Sequence, residues 1–235
     1  MTQDIFVERF FETLISGHRR ASRQIVDEAL RTGASAGELI TELFWPTYEM
    51  IEKLYRSDQL TRLSHHMSTR LLRVLVDQNA SRLTIQQPRS RSIFALCGPK
   101  DADELGAQMA VDLLESSGFE ISFAGGGIPN DEILAHVHES QPNILLMFCS
   151  APGDLPEIRE LIDTIHEINA CPELQIVVGG GVFNRAEGLA EEIGADSWAR
   201  SPMELADLLI TQPARRASET QRTVGRKRRV RREAA

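Results

Sequence analysis

The amino-acid sequence predicts an α/β protein in which a bundle of helices is followed by a five-stranded parallel sheet and then by a basic tail. Three observations predict this organisation. From residue 4 to about residue 83, apolar residues recur at helical spacing. From residue 92, short apolar runs alternate with helical stretches, as in a parallel sheet covered on both faces. Residues 213–235 contain eight arginines and one lysine against two glutamates.

Composition excludes several classes of protein. The chain has 235 residues, of which 42% are apolar and 26% charged, and no apolar run approaches the ~20 residues that span a bilayer. The N-terminus is acidic and amphipathic, which is unlike an export signal, so we expect a cytoplasmic protein without membrane contact. The cysteines Cys97, Cys149 and Cys171 fit neither a disulfide framework nor a paired zinc site, and we interpret them as reduced thiols.

The region 1–84 is predicted to be a cap of about four helices. The first two end before Gly17 and Gly33. The third begins at Ser35, which forms a capping box with Glu38, and Pro46 is expected to break or kink it because proline lacks an N–H. His65 and the residues around it belong to the last helix, whose apolar stripe we predict to consist of Leu60, Leu63, Met67, Leu71, Val74 and Leu75.

The region 92–212 is predicted to form the sheet. The strands are expected at 93–97, 119–124, 144–149, 175–178 and 197–199. The helices are expected near 103–117, 130–140, 154–169, 185–193 and 202–211. This pattern fits the flavodoxin-like strand order 2-1-3-4-5, in which ligands bind at the carboxyl ends of the strands.

Two glycine triplets follow predicted strands. One comprises residues 125–127, and the other comprises Gly179, Gly180 and Gly181. Glycine leaves backbone amides open to a ligand, although it also serves tight turns. The triplets therefore favour a large flat or phosphate-bearing ligand at the carboxyl edge.

The loops at this edge resemble those of the corrinoid-binding module of the methionine synthase type, in which a helical cap precedes a flavodoxin-like cobalamin domain. The family's first loop reads Asp-x-His-x-x-Gly, and Asp101 and Gly106 match it, whereas Asp103 replaces the histidine. Ser150 matches the family's serine after the third strand. The triplet 179–181 matches the Gly-Gly that accommodates the nucleotide tail of cobalamin. The resemblance implies that these residues bind cobalamin.

The resemblance covers residues 1–212, and its layout is that of cobalamin-dependent photoreceptor regulators and methyltransferase corrinoid proteins. In the photoreceptor relatives, a tryptophan of the cap is followed after nine residues by Glu-His, and that histidine reaches the upper face of cobalt. The same spacing here reads Tyr55, then His65 and His66. The resemblance implies that Tyr55 contacts the corrinoid and that His66 is an upper cobalt ligand; alternatively, His66 is an interface residue. We expect His65 to face solvent.

The replacement at Asp103 bears on the lower face of cobalt, where the family's histidine is a ligand. A carboxylate is a harder ligand than imidazole and suits magnesium, calcium or manganese better. Cobalamin could bind with its own base on cobalt or without a lower protein ligand, or the pocket could have lost it. Asp103 could instead be an acidic first-turn residue and Asp101 an N-cap.

Three functions remain open at this point. The main interpretation is a non-catalytic cobalamin sensor that binds the corrinoid between the cap and the carboxyl edge of the sheet. The alternatives are a corrinoid carrier for a separate methyltransferase and a scaffold that has lost the cofactor. A phosphoacceptor receiver is disfavoured because Cys149 and Ala199 stand near strand ends where an aspartate and a lysine are required. Without a Walker loop, a dinucleotide fingerprint or a nucleophile elbow, the sequence gives no support to autonomous catalysis.

The basic tail 213–235 contrasts with an overall net charge of −8, so the preceding chain is strongly acidic. The tail has few apolar residues, and we expect it to be disordered in isolation. Its counter-charge could be nucleic acid, an acidic partner or the acidic body of the protein. It could also serve only solubility.

Overall fold

A computed structural model describes residues 3–99 and 101–217 of the chain. Its helical part comprises α1 (Gln3–Ile15), α2 (Arg19–Arg31), α3 (Ala36–Glu38), a π-helical segment (Leu39–Phe44), α4 (Trp45–Arg56) and α5 (Arg62–Ala80). Apolar side chains of these helices form a common core that includes Phe10, Leu14, Phe44 and Ile51. Across the described ranges, none of the helices combines the length and apolar character needed to cross a membrane.

The second part is a five-stranded parallel sheet with the order β2-β1-β3-β4-β5. The strands are β1 (Ser92–Cys97), β2 (Glu120–Gly126), β3 (Ile144–Phe148), β4 (Gln175–Gly179) and β5 (Ser197–Ala199). The helices are α6 (Asp101–Ser116), α7 (Asn130–Ser140), α8 (Leu155–Ile168), α9 (Gly181–Arg185), α10 (Leu189–Glu192) and α11 (Pro202–Thr211). The predicted fold class and strand order are confirmed.

The third helix of the bundle is continuous past Pro46. Its capping box is present, because Ser35 and Glu38 exchange both hydrogen bonds. The predicted break is replaced by a π-helical segment, in which the Trp45 N–H donates to the Ile40 carbonyl. π-helical turns are rare and occur mostly as single turns inside α-helices, and this one ends at Phe44, two residues before the proline.

The buried face of the last bundle helix differs from the predicted one. Helix α5 begins at Arg62, with Thr61 as its N-cap, so Leu60 precedes it. Leu63 is 69% exposed and does not belong to an inward stripe. The buried face of α5 consists of His65, Ser68, Thr69, Leu71, Leu72, Leu75, Val76 and Asn79.

Two short helices replace the single helix expected at 185–193. Helix α9 ends at Arg185, and α10 begins only after Gly188. Gly188 has a φ of +79°, a left-handed conformation that interrupts a helix and that glycine adopts without strain.

Helix α6 joins the two parts of the molecule. Its residues Leu105, Met109 and Leu113 belong to the core of the helical bundle. Its residues Ala110 and Leu114 belong to the core beneath the sheet. The cap is therefore docked on the sheet through a helix whose two sides contribute to two different cores.

The segment before residue 217 is held at the amino edge of the sheet. Arg91 donates to the Leu209 carbonyl at 3.0 Å and to the Gln175 side chain at 2.8 Å. The Asp196 carboxylate accepts the Ala217 N–H at 2.7 Å. This edge is opposite to the one expected to bind ligand. Most of the predicted tail, 218–235, lies outside the described residues.

Asp112 of α6 yields a prediction for the pH dependence of stability. It is 4% exposed. Burial raises the pKa of its carboxyl from 3.8 to about 6, with Glu115 and Asp77 adding to the effect and a hydrogen bond from Gln108 opposing it. The folded state thus disfavours the charged form, so this group lowers stability as pH rises from about 4 to about 6.

We expect Asp112→Asn to raise the free energy of unfolding by about 1–3 kcal/mol at pH 7 and to change little below pH 4. Urea unfolding over this pH range measures the difference. Asp27→Asn, at an exposed site on α2, serves as the matched control. If Asp112→Asn raises the free energy of unfolding equally at every pH, the raised pKa of Asp112 is not the cause.

Candidate functional site

In the described part of the chain, two of the cavities lie at the carboxyl edge of the sheet. Cavity one, about 210 Å³, lies between the cap and the ends of β4 and β5. Cavity two, about 400 Å³, lies at the ends of β1, β2 and β3. Phe148, the last residue of β3, lines both. The two predicted glycine triplets contribute to different cavities, because Gly125 and Gly127 line the second and the triplet 179–181 lines the first.

Most of the residues predicted from the motif meet in cavity one. Its sheet-side wall includes Asp103, Gly106, Ser150, Gly179, Gly180 and Gly181. The strand order explains this arrangement, since β1, β3 and β4 are neighbours and their carboxyl ends lie side by side. Asp101 begins α6, and its side chain lies outside the described part of the structure.

The opposite wall of cavity one comes from helix α4 of the cap. It consists of Trp45, Tyr48, Glu49, Glu52 and Arg56. The sequence analysis assigned Tyr55 and His66 to the cap side of the site and none of these five residues. A signal existed, since these positions follow one another at helical spacing on one face, but such a polar face is usually solvated.

Tyr48 is a residue through which helix α4 of the cap contacts α6. It is 8% exposed, and its hydroxyl oxygen lies 3.0 Å from the position that a Cβ on Gly106 would occupy. Burial raises the pKa of the Tyr48 phenol well above its usual range, and the carboxylates of Glu52 and Asp103 reinforce the shift. The motif glycine therefore permits close contact with a neutral phenol.

Asp103 is buried in the first turn of α6, with 5% exposure. Its Oδ2 lies 2.6 Å from the position of a Cβ on Gly98, and the Asp154 Oδ2 lies 3.2 Å from the same point. Two carboxylates therefore approach the backbone that follows β1. At the position where the motif has an imidazole, this site has a carboxyl group packed against glycine.

The burial of the two cap histidines is the reverse of the prediction. His65 is 7% exposed and not solvent-facing; its Nε2 lies 2.6 Å from the Glu52 Oε1, and its ring stacks on Tyr55 at 3.9 Å. His66 is exposed. Neither Tyr55 nor His66 belongs to the walls of the two cavities. The geometry links His65 to cavity one through Glu52, and cobalt ligation by His66 stays an untested prediction.

The thiols at the ends of β1 and β3 are free. Burial raises the pKa of Cys97 and of Cys149 to about 12, and nearby carboxylates, including that of Asp103, add to both shifts. Protonated thiols are poor nucleophiles and poor metal ligands. Across the residues described, no cluster of three or more histidine, cysteine or acidic side chains forms a metal site.

Comparison with known protein families identifies both parts of the chain. A model described as "B12 binding domain" matches residues 91–207, and a second model with the same description matches residues 7–78. The chain belongs to the B12-binding family. The family assignment and cobalamin as its cofactor are thereby confirmed, and the two matches follow the order of the helical part and the sheet part.

Relatives of this B12-binding protein match it at low identity. Monomethylamine corrinoid protein 2 of Methanosarcina acetivorans is 20% identical over 215 residues, which cover 89% of this chain and 98% of that protein. Dimethylamine corrinoid protein 1 of Methanosarcina mazei is 26% identical over 104 residues, 44% of this chain and 47% of the relative. The solved structure of the Methanosarcina barkeri monomethylamine corrinoid protein superposes with a TM-score of 0.78 at 16% identity, covering 89% and 99% of the two chains.

The lining of cavity one fits part of a corrinoid. The triplet 179–181 offers bare backbone to cavity one, beside Ser150 and opposite Trp45. The donor set does not fit protein ligation of cobalt, because the described walls of both cavities contain carboxylates and one thiol but no imidazole.

Proposed function

We propose that this protein is a corrinoid carrier for a separate methyltransferase, with residues 1–84 acting as a cap and 92–212 as the binding module. The observation that carries the proposal is the glycine triplet 179–181, which faces helix α4 of the cap across cavity one. The full-length likeness to a monomethylamine corrinoid protein supports it. The comparisons favour the carrier over the sensor. The sensor was the main interpretation of the sequence.

The size of cavity one indicates what the cap must do. At about 210 Å³ it is smaller than the roughly 300–1,000 Å³ typical of pockets for drug-sized ligands, and a complete corrinoid is larger than such ligands. Cavity one can therefore accept only part of the corrinoid while Tyr48 contacts α6. We infer that the cap separates from α6 during loading and when the cofactor meets its partner.

The chain's own residues have distinct roles in this proposal. The triplet 179–181 and Ser150 form the floor, Trp45 and Tyr48 form the roof, and closure of the roof excludes water. Glu52 is held by His65 at the edge of the roof. When bound, the corrinoid supplies a cobalt centre that carries a methyl group, and the methyltransferase partner carries out the catalysis.

Retention of the cofactor tests this proposal. Purified protein is mixed in the dark with hydroxocobalamin or adenosylcobalamin, free ligand is removed, and the visible spectrum is recorded. We expect retained corrinoid close to one equivalent. A clean wash-through in both cases means that the chain is a scaffold without cofactor and overturns the proposal.

The tail provides the test between carrier and sensor. DNA binding by the full chain and by a chain ending at residue 217 is measured at fixed salt, with and without cobalamin. A carrier is expected to show the same DNA affinity in both cofactor states. Tail-dependent binding that changes with cobalamin supports a sensor instead.

A further inference from the structure

We propose that Arg185 and Arg200 form an anion subsite at cavity one that binds the phosphodiester of a corrinoid's nucleotide tail. The inference rests on the proposed corrinoid binding and adds a chemical feature by which the site selects its ligand. Both arginines line cavity one from the loops that follow β4 and β5, on the side of the glycine triplet.

The side chain of Arg185, at the end of α9, is held by a hydrogen bond that leaves other guanidinium N–H groups available to a ligand. Its Nη2 donates to the Ser150 carbonyl at 2.7 Å. Its Nη1 lies 2.6 Å from the position of a Cβ on Gly181, so the guanidinium rests against backbone that only glycine leaves bare. Guanidinium has five N–H donors, and in the described part of the chain no carboxylate forms an ion pair with Arg185.

Arg200 is held in a similar way directly after β5. Its guanidinium lies over the Trp198 ring at 5.6 Å. Its backbone is tied on both sides, since the Glu204 carboxylate accepts its N–H at 2.8 Å and its carbonyl accepts from Asn184 at 2.9 Å. Within the described ranges, its guanidinium likewise makes no ion pair with a carboxylate.

Each wall of cavity one contains charged groups of both signs, with more acidic than basic side chains on the cap and more basic than acidic ones on the sheet side. The acidic side chains of Glu49 and Glu52 come from the cap, where Glu52 lies 3.8 Å from Arg56. The positive groups of the sheet side are Arg185 and Arg200. Burial and the charge of Arg56 lower the pKa of Arg185, so an anion bound there relieves repulsion. Asp103, also on this wall, is packed against Gly98.

A phosphodiester suits this arrangement better than other anions. Arginine presents a planar fork of donors that matches phosphate oxygens. The small volume and glycine floor of cavity one admit a narrow appendage rather than a macrocycle. Complete corrinoids carry a phosphodiester in such an appendage, whereas cobinamide lacks both the nucleotide and the phosphate.

This difference between ligands supplies the experiment. Spectral titration of the full chain compares cobalamin with diaquocobinamide for the wild type, Arg185→Met, Arg200→Met and the double variant. We expect each single variant to lose about tenfold in cobalamin affinity, the loss of one charge-assisted hydrogen bond, and to keep its cobinamide affinity within about twofold. The double variant is expected to lose more cobalamin affinity than either single variant. Arg31→Met, at an exposed position on α2, is the matched control.

The outcomes separate the two proposals. If the wild type binds neither ligand, corrinoid binding itself is wrong. If the wild type binds and the arginine variants lose nothing, or lose both ligands equally, the anion subsite is wrong while corrinoid binding stands. Because Arg185 also holds the Ser150 loop, equal loss of both ligands assigns it a structural role only.

Discussion

Replacing Gly180 with alanine is expected to lower the melting temperature by about 5–15 °C and to abolish corrinoid retention. Gly180 has a φ of +102°, which side-chain-bearing residues rarely adopt. A Cβ there would also lie 2.4 Å from the Cys149 carbonyl oxygen, which is backbone and cannot rotate away. Since Cys149 is fully buried after β3, the relief of this overlap must displace the floor of cavity one.

Alanine substitutions at two other glycines separate backbone strain from the overlap with the Cys149 carbonyl. At Gly125, φ is +77° but no atom lies within 4 Å of an added Cβ, so Gly125→Ala carries backbone strain alone. At Gly153, φ is not positive and no atom is near, so the change should stay within about 0.5 kcal/mol. Thermal unfolding of the three variants measures the series. If Gly180→Ala lowers the melting temperature no more than Gly125→Ala does, the predicted overlap with the Cys149 carbonyl oxygen is wrong.

The second large effect is expected at Asp103. Replacing Asp103 with histidine restores the motif, and we expect it to place an imidazole nitrogen on the cobalt of bound cobalamin. The physical reason is that imidazole is a better donor than carboxylate for such a metal. The larger ring cannot occupy the tight space beside Gly98 that the carboxylate fills, so it must turn away from Gly98.

Electron paramagnetic resonance of bound cob(II)alamin measures this change. With isotope-labelled histidine in the protein, the nitrogen splitting should change for Asp103→His and should not change for the wild type. Asp103→Asn controls for loss of the negative charge. A label-dependent splitting in the wild type would show that one of its own histidines, such as His66, binds cobalt. An unaffected Asp103→His spectrum would mean that position 103 does not face the metal.

The fold was predictable because its signals are local. The alternation of apolar runs with helical stretches located all five strands, and the capping box at Ser35 located a helix start. Pro46 was misjudged because sequence rules describe its effect on an α-helical ladder, whereas the chain widens to a π turn that keeps the helix continuous.

The cap side of the site was harder to predict, and the two adjacent histidines show why. Neighbouring positions on a helix point about 100° apart, so a small error in phase exchanges the buried residue and the exposed one. The first half of α5 buries His65, Ser68 and Thr69, which do not form an apolar stripe. The polar stripe that includes Glu52 and Arg56 becomes a cavity wall only because the cap docks on α6.

The shared position of α6 has an energetic consequence for loading. Leu105 and Met109 stabilise the closed arrangement, so parting the cap from the sheet gives up their packing. If corrinoid enters only parted molecules, its apparent affinity is the intrinsic affinity scaled by the parted fraction. Smaller side chains at Leu105 and Met109 should therefore raise the apparent affinity for corrinoid and lower the stability of the fold. In a rigid pocket, the same substitutions would not raise the affinity.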